Sequence, residues 1–172
     1  MLIGMLQIAL IYSLVAGLYG ILHDQVTFTI SNEYFTKLKY QQFHYLSFDG
    51  SDRLRVSVIG FFATFWAGLL FGWFLARWFL PNCSLSVARG KIFKASIIIF
   101  STSILFAIAA GAYGLFSGAT ADHSSWSHIF NTYCIENTQS FVNVAYIHNS
   151  SYLGALVGLL ITLVCIKRKN EF

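Results

Sequence analysis

A histidine and a carboxylate stand side by side where the first long apolar stretch of the chain ends. His23 and Asp24 follow residues 2–22 directly, and Glu33 comes shortly after them. Polar groups at that depth in a membrane protein usually face the helix bundle or a wet cavity. Imidazole can transfer protons or bind a metal ion, and a neighbouring carboxylate can orient it. This stretch therefore predicts one corner of a functional site.

The remaining candidates are histidines predicted to lie on the same face of the membrane. His148 lies near the start of the last apolar stretch, at about the depth of His23. In one interpretation the catalytic acid–base groups are His23, Asp24, Glu33 and His148. In the other, a metal ion such as Zn or Fe is held by ligands from the set His23, Glu33, His123, His128 and His148. Haem between two histidines is a less favoured variant, and no HExxH-type spacing names a reaction.

The same side chains also have structural interpretations. His23 suits an interfacial helix cap, and His148 with Asn149 suits hydrogen bonding between helices. Glu33 suits the first turn of a helix, where a carboxylate meets the helix dipole. The histidines of the polar loop suit an exposed surface.

Composition assigns the chain to the membrane. Its 172 residues are 56% hydrophobic and 10% charged, whereas soluble domains carry about 25% charged residues. Four apolar stretches, about 2–22, 56–80, 92–117 and 141–166, approach or exceed the roughly 20 residues that a spanning helix needs. Lipid cannot satisfy open backbone groups, so these stretches should be helical. The prediction is one integral membrane domain, 1–172: an all-α four-helix transmembrane bundle whose immediate partner is the lipid bilayer.

Basic residues set the predicted orientation. They concentrate in the connection between stretches two and three, with its flanks, and in the tail: Arg77, Arg89, Lys91, Lys94, Lys167, Arg168 and Lys169. The positive-inside rule places this connection and both termini in the cytoplasm. Two structured extracytoplasmic loops, 23–55 and 118–140, follow, and residues 26–30 alternate as a short strand would. The net charge of +4 then reflects topology and does not indicate nucleic-acid binding.

Small residues recur at a spacing that lets helices approach closely. Each stretch holds one such pair: Ala16 and Gly20, Gly68 and Gly72, Gly114 and Gly118, Gly154 and Gly158. Residues 16–20 (AGLYG) also recur as residues 110–114 (AGAYG). The pattern favours one compact bundle and is compatible with an internal parallel repeat.

Several short motifs stand out: HDQVT at residues 23–27, EYFT at 33–36, ATFWAGL at 63–69 and HNSSYLG at 148–154. With them the chain resembles a family of small, uncharacterised bacterial inner-membrane proteins with HDQ-V-T, EYFT, a W-x-G-L second helix and HN-x-S-Y at the last helix. The resemblance covers three of the four stretches. It implies a multi-pass protein of the bacterial inner (cytoplasmic) membrane, and it adds Gln25, Tyr34, Asn149 and Tyr152 as supporting residues. It brings no reaction, cofactor or partner, and residues 37–39 here read KLK where some members have GHP.

Three functions follow. The first is a His/carboxylate site on the extracytoplasmic face, metal-binding or acid–base, that acts on a lipid or envelope substrate. The second is a non-catalytic membrane subunit whose outer loop meets a membrane-protein partner or a second copy. The third, a small transporter or channel, is least favoured because the middle stretches offer only hydroxyl groups near mid-membrane.

Overall fold

The computed structural model describes residues 1–46, 49–118 and 120–166. Within them the chain forms four long helices: α1, Leu2–Ile30; α2, Asp52–Phe79; α3, Leu85–Ser117; and α4, Thr138–Cys165. All four are long and apolar enough to cross a membrane, which confirms the predicted all-α fold with four candidate spanning helices. The tail residues Lys167, Arg168 and Lys169, which enter the predicted orientation, lie outside the described residues, as do 47, 48 and 119 of the predicted loops.

Helix α1 continues well past the predicted end of the first apolar stretch. Residues 26–30 form its last turns, so the predicted strand is wrong. Alternation over so few residues does not separate a strand from a helix. The β-branched threonines fit because Thr27 donates to His23 O at 3.0 Å and Thr29 donates to Val26 O at 2.6 Å. His23 and Asp24 therefore lie inside a helix and do not cap it.

The other three long helices begin before the predicted apolar stretches because polar residues cap them. A side-chain oxygen of Ser51, Ser84 or Asn137 accepts a hydrogen bond from the backbone N–H three residues on, at the start of α2, α3 and α4 respectively. Such caps satisfy donors that the first helical turn leaves free. The caps extend each helix into polar sequence that hydropathy alone does not assign to it.

The four helices form two antiparallel hairpins, α1 with α2 and α3 with α4. Their backbones approach closely at glycines. A methyl group on Gly60 would lie 2.5 Å from Gly20 O, and one on Gly154 would lie 2.6 Å from Thr102 O. The two AGxYG motifs occupy the first helix of each hairpin. The backbones of the two hairpins meet over much shorter stretches than those of the helices within each hairpin, and side chains at the two ends of the bundle pack the hairpins together.

Both long connections lie at one end of the bundle, called the loop end below. The first contains a π-helical turn, Tyr34–Lys39, and the second contains a short helix, Ser127–Tyr133. Apolar side chains from both connections pack with α2 and α4 in one cluster around Phe35 and Phe141. A second cluster, around Phe79, fills the opposite end. The first connection is thereby packed against α2 and α4.

Candidate functional site

Three of the predicted site residues come together between the hairpins. His23 and Asp24 lie on α1, and His148 lies on α4. One potential ligand atom from each lies within 4.8 Å of the other two. His148 Nε2 is 3.8 Å from Asp24 Oδ1, and the centroids of the two imidazole rings are 4.7 Å apart. These three residues are called the His–Asp cluster below, and the cluster joins one hairpin to the other.

Helix geometry and a close backbone contact position the carboxylate. Neighbours on an α-helix point about 100° apart, so His23 and Asp24 project in different directions from α1. A methyl group on Gly60 of α2 would lie 3.0 Å from Asp24 Oδ2. Asp24, only 4% exposed, is thus enclosed by α1, α2 and His148. Burying a carboxylate without strong compensation is costly, which favours a paired or metal-bound group.

Aromatic rings and a hydroxyl surround the two histidines. The Tyr34 ring stacks on His148 at 5.1 Å and 30°, and the Phe35 ring meets it edge-on at 5.9 Å. Thr27 Oγ1 lies 3.2 Å from His148 Nε2. Tyr19 lies beside His23, with ring centroids 5.6 Å apart. This shell leaves His148 only 3% exposed and makes electrostatic interactions inside the cluster stronger than in water.

One imidazole nitrogen of the cluster lacks a partner. His23 Nε2 is buried and makes no hydrogen bond within residues 1–46, 49–118 and 120–166. A buried unsatisfied polar atom often marks a bound water or ion. Two imidazoles and a carboxylate are a donor set that suits Zn or non-haem Fe, and three protein ligands leave one coordination position open. The donor set fits a metal ion in its chemistry.

The spacing of the cluster can be compared with that of a metal site. Zinc–ligand bonds are about 2.0–2.1 Å, so ligand atoms of a tetrahedral site are roughly 3.3 Å apart. Separations of up to 4.8 Å in the His–Asp cluster therefore need closure by up to about 1.5 Å. Side-chain rotations supply movements of that size.

Lys39 is a residue of the site that the sequence analysis did not assign. It ends the π-helical turn, and its Nζ lies 5.7 Å from the Tyr34 ring centroid and 5.6 Å from that of Phe43. Burial lowers the pKa of Lys39, and the charge of Asp24 opposes that shift. A spacing of five residues brings Lys39 to the face of Tyr34 only in a π-helical turn, and the residue types do not predict that turn.

Glu33 lies outside the His–Asp cluster and ties the two connections together. It accepts hydrogen bonds from the backbone N–H of Glu136 at 3.1 Å and of Asn137 at 2.8 Å, and it forms an ion pair with Lys37. Burial raises the pKa of Glu33, but these hydrogen bonds outweigh burial and hold it below its ordinary value. Its carboxylate is already engaged in holding the first connection against the start of α4.

The other candidates are spread over the loop end. His128 and Asn149 are exposed. The ring of His123 contacts its own chain, with Nε2 3.1 Å from Gly118 O. Gln25 donates to Arg53 O at 2.8 Å and to a serine of α2, and so fixes the start of α2 against α1. Among the described residues, neither loop histidine belongs to the group that could share a metal ion with the cluster.

A cavity of about 590 Å³ lies beside the cluster, between the two hairpins. Tyr19 and Lys39 line it at the loop end, together with Tyr152 of α4. Most of its remaining wall is apolar or aromatic. Comparisons of the chain with protein-family models, with curated proteins and with solved structures find no match.

Proposed function

We propose that the His–Asp cluster is a transition-metal centre, for Zn or Fe, in a multi-pass protein of the bacterial inner membrane. The observation that supports it is the convergence of two imidazoles and one carboxylate within 4.8 Å, two of them almost fully buried. Such a centre would lie at the extracytoplasmic face in the predicted orientation. Its substrate would be a lipid or an envelope molecule, because the adjoining cavity is apolar.

Each residue has a definite part in this proposal. His23, Asp24 and His148 would hold the metal, and the aromatic shell formed by Tyr34 and its neighbours would exclude bulk water. A metal held by three protein ligands supplies a Lewis acid and lowers the pKa of a bound water. If Nδ1 of His148 is the ligand atom, Thr27, with Oγ1 3.2 Å from Nε2, would orient that ring, because an orienting hydrogen bond uses the nitrogen that does not bind the metal.

Metal content tests the proposal. The purified chain in detergent, loaded with Zn²⁺ or anaerobically with Fe²⁺ and then desalted, should retain about one ion per chain by elemental mass spectrometry. His148→Ala and Asp24→Asn should each lower the affinity for the metal by at least about 100-fold, since loss of even an outer-shell partner lowers metal affinity by about 10–100-fold. The matched control, His128→Ala, removes an exposed imidazole and should bind as the wild type does.

Two results would contradict the proposal: no retained metal in the wild type under either loading condition, or equal retention in His148→Ala. Size-exclusion profiles and circular dichroism of each variant exclude misfolding as the cause of a loss.

The same cluster favours a second candidate function, that of a non-catalytic subunit in which the cluster only links the two hairpins through polar contacts. The observation is that Asp24 and His148, 3.8 Å apart, belong to different hairpins. A buried polar pair that binds no metal can be replaced by well-packed apolar residues at little cost or with a gain in stability. The double variant Asp24→Leu/His148→Leu should then be as stable as the wild type, and metal loading should stabilise neither protein.

A further inference from the structure

The cavity between the hairpins has an amphiphilic lining. Lys39, Gln42 and Tyr45 of the first connection line its loop end, beside the hydrogen-bonded pair of Tyr19 OH and Ser103 Oγ, 3.0 Å apart. Its remaining walls are formed by all four long helices and are mostly aliphatic or aromatic, and they include Trp66, Ala67, Leu70 and Leu156. The ammonium group of Lys39 therefore lies at one end of a mostly apolar cavity.

The cavity opens sideways, toward the surroundings of the helices. Several of its lining side chains are also exposed: Trp66 is 60% exposed, Leu70 58% and Leu156 52%. All three lie on helices that are long and apolar enough to cross a membrane. What reaches a lateral opening at that level is an acyl chain, because the hydrocarbon core contains no water.

The cation selects the charge of the head group. Lys39 Nζ lies near two aromatic rings. Within residues 1–46, 49–118 and 120–166 no carboxylate contacts it directly, and the charge of Asp24 acts on it only at longer range. A phosphate near the membrane surface supplies the opposite charge, and each lysine adds about 1 kcal/mol to binding of anionic lipid. A volume of about 590 Å³ falls within the roughly 300–1,000 Å³ of pockets that enclose whole small ligands.

We propose that this cavity binds an anionic phospholipid from the bilayer, with one acyl chain between the hairpins and the phosphate on Lys39. The head group then lies beside the His–Asp cluster, because Tyr19 lines the cavity and its ring centroid is 5.6 Å from that of His23. This names a substrate class for the proposed metal centre and rests on that proposal for any chemistry at the head group. Binding of the lipid needs only the cavity and the cation.

The test compares two lipids with the same acyl chains. Delipidated full-length protein in detergent is titrated with dioleoyl phosphatidylglycerol and with dioleoyl phosphatidylcholine, and bound lipid is counted by native mass spectrometry. The wild type should bind the anionic lipid about fivefold more tightly. Lys39→Gln should reduce this ratio to about one, whereas the control Lys94→Gln, an exposed lysine that does not line the cavity, should preserve it.

A second pair of variants tests the chamber without changing any charge. Ala67→Phe places a ring in the cavity and should weaken binding of both lipids. Leu160→Phe places a ring on an exposed helix face outside the cavity and should leave both affinities unchanged. This pair decides the question even if Lys39→Gln fails to fold.

Equal affinity of the wild type for the two lipids, or unchanged binding in folded Lys39→Gln or Ala67→Phe, would overturn the inference. Displacement of the lipid by self-association of the chain would do so as well, and would identify the cavity as an interface between copies. His148→Ala should lose metal and keep its lipid preference. Failure of the metal centre and failure of the lipid site are therefore separate results.

Discussion

Adding one methyl group at Gly60 should push α1 and α2 apart and should also displace Asp24 of the His–Asp cluster. The added Cβ would lie 2.5 Å from Gly20 O and 3.0 Å from Asp24 Oδ2. Carbon–oxygen contacts between packed helices are about 3.3–3.6 Å. In Gly60→Ala the two backbones must therefore move apart by roughly 0.8 Å, and the carboxylate must shift by a few tenths of an ångström.

The size of the effect follows from a comparison with Gly90→Ala. Gly90 lies on α3 with nothing within 4 Å of an added methyl group. Both substitutions gain about 0.5–1 kcal/mol from replacing a helical glycine, so their difference isolates the steric cost. Overpacking costs about 1–3 kcal/mol. For a chain of this length each kcal/mol corresponds to about 2–4 °C in Tm, and Gly60→Ala should melt about 2–12 °C below Gly90→Ala.

The assay is thermal unfolding in one detergent, followed by fluorescence-detected size exclusion, with metal retention measured on the same samples. Gly60→Ala should show both the lower Tm and reduced metal content, while Gly90→Ala should match or exceed the wild type in Tm. If Gly60→Ala is as stable as Gly90→Ala, the backbones do not approach as described, and the positioning of Asp24 by Gly60 is wrong.

Three further substitutions test other contacts. Thr162→Val should raise Tm, because Thr162 Oγ1 is buried without a partner in the described part of the chain and such a group costs about 1–3 kcal/mol; a lower Tm would contradict this. Thr64→Val should lower the free energy of unfolding by about 0.6 kcal/mol, and with it Tm, since Thr64 donates across the hairpin to Ala16 O at 2.7 Å; an unchanged Tm would refute that role. Glu33→Gln should cost about 1 kcal/mol at pH 7, discounted for screening. The pKa of Glu33 is lowered in the folded state, so its carboxylate stabilises the fold above its ordinary pKa of 4.5, and this contribution is lost as pH falls through the folded-state pKa. The Tm values of wild type and Glu33→Gln should therefore converge between pH 7 and pH 3. A constant difference in Tm over this range would refute the ion pair.

Hydropathy predicts the four long helices because a backbone segment in lipid must satisfy its own hydrogen bonds, and an α-helix does so within one segment. It does not predict their ends, which depend on hydrogen bonds that are local and polar. The Ser51, Ser84 and Asn137 caps extend three helices into polar sequence, and α1 accommodates Thr27 and Thr29 through hydrogen bonds to carbonyls of its own backbone. The strand predicted at residues 26–30 was wrong because alternation over five residues fits a helix as well as a strand.

The candidate site, too, could be predicted from the sequence only in part. His23 and His148 could be paired from sequence because both lie at similar depth on apolar segments. Glu33 could not be placed, because its partners are backbone N–H groups of a distant connection. Lys39 was missed because its position depends on a π-helical turn, Tyr34–Lys39, and no residue pattern distinguishes that turn from an α-helix. Long-range partners of loop residues are the information that a single sequence does not contain.

The division into two hairpins also bears on how the chain is made. Synthesis runs from the N-terminus, so α1 and α2 can pair through Gly20 and Gly60 before α4 exists. In that hairpin Asp24 lacks His148, and a carboxylate without a partner is expensive to keep at the level of a spanning helix. Arrival of the second hairpin gives Asp24 its neighbour and closes the cavity at the same moment. Assembly of the two halves is thus the step that brings Asp24 and His148 together and forms the cavity.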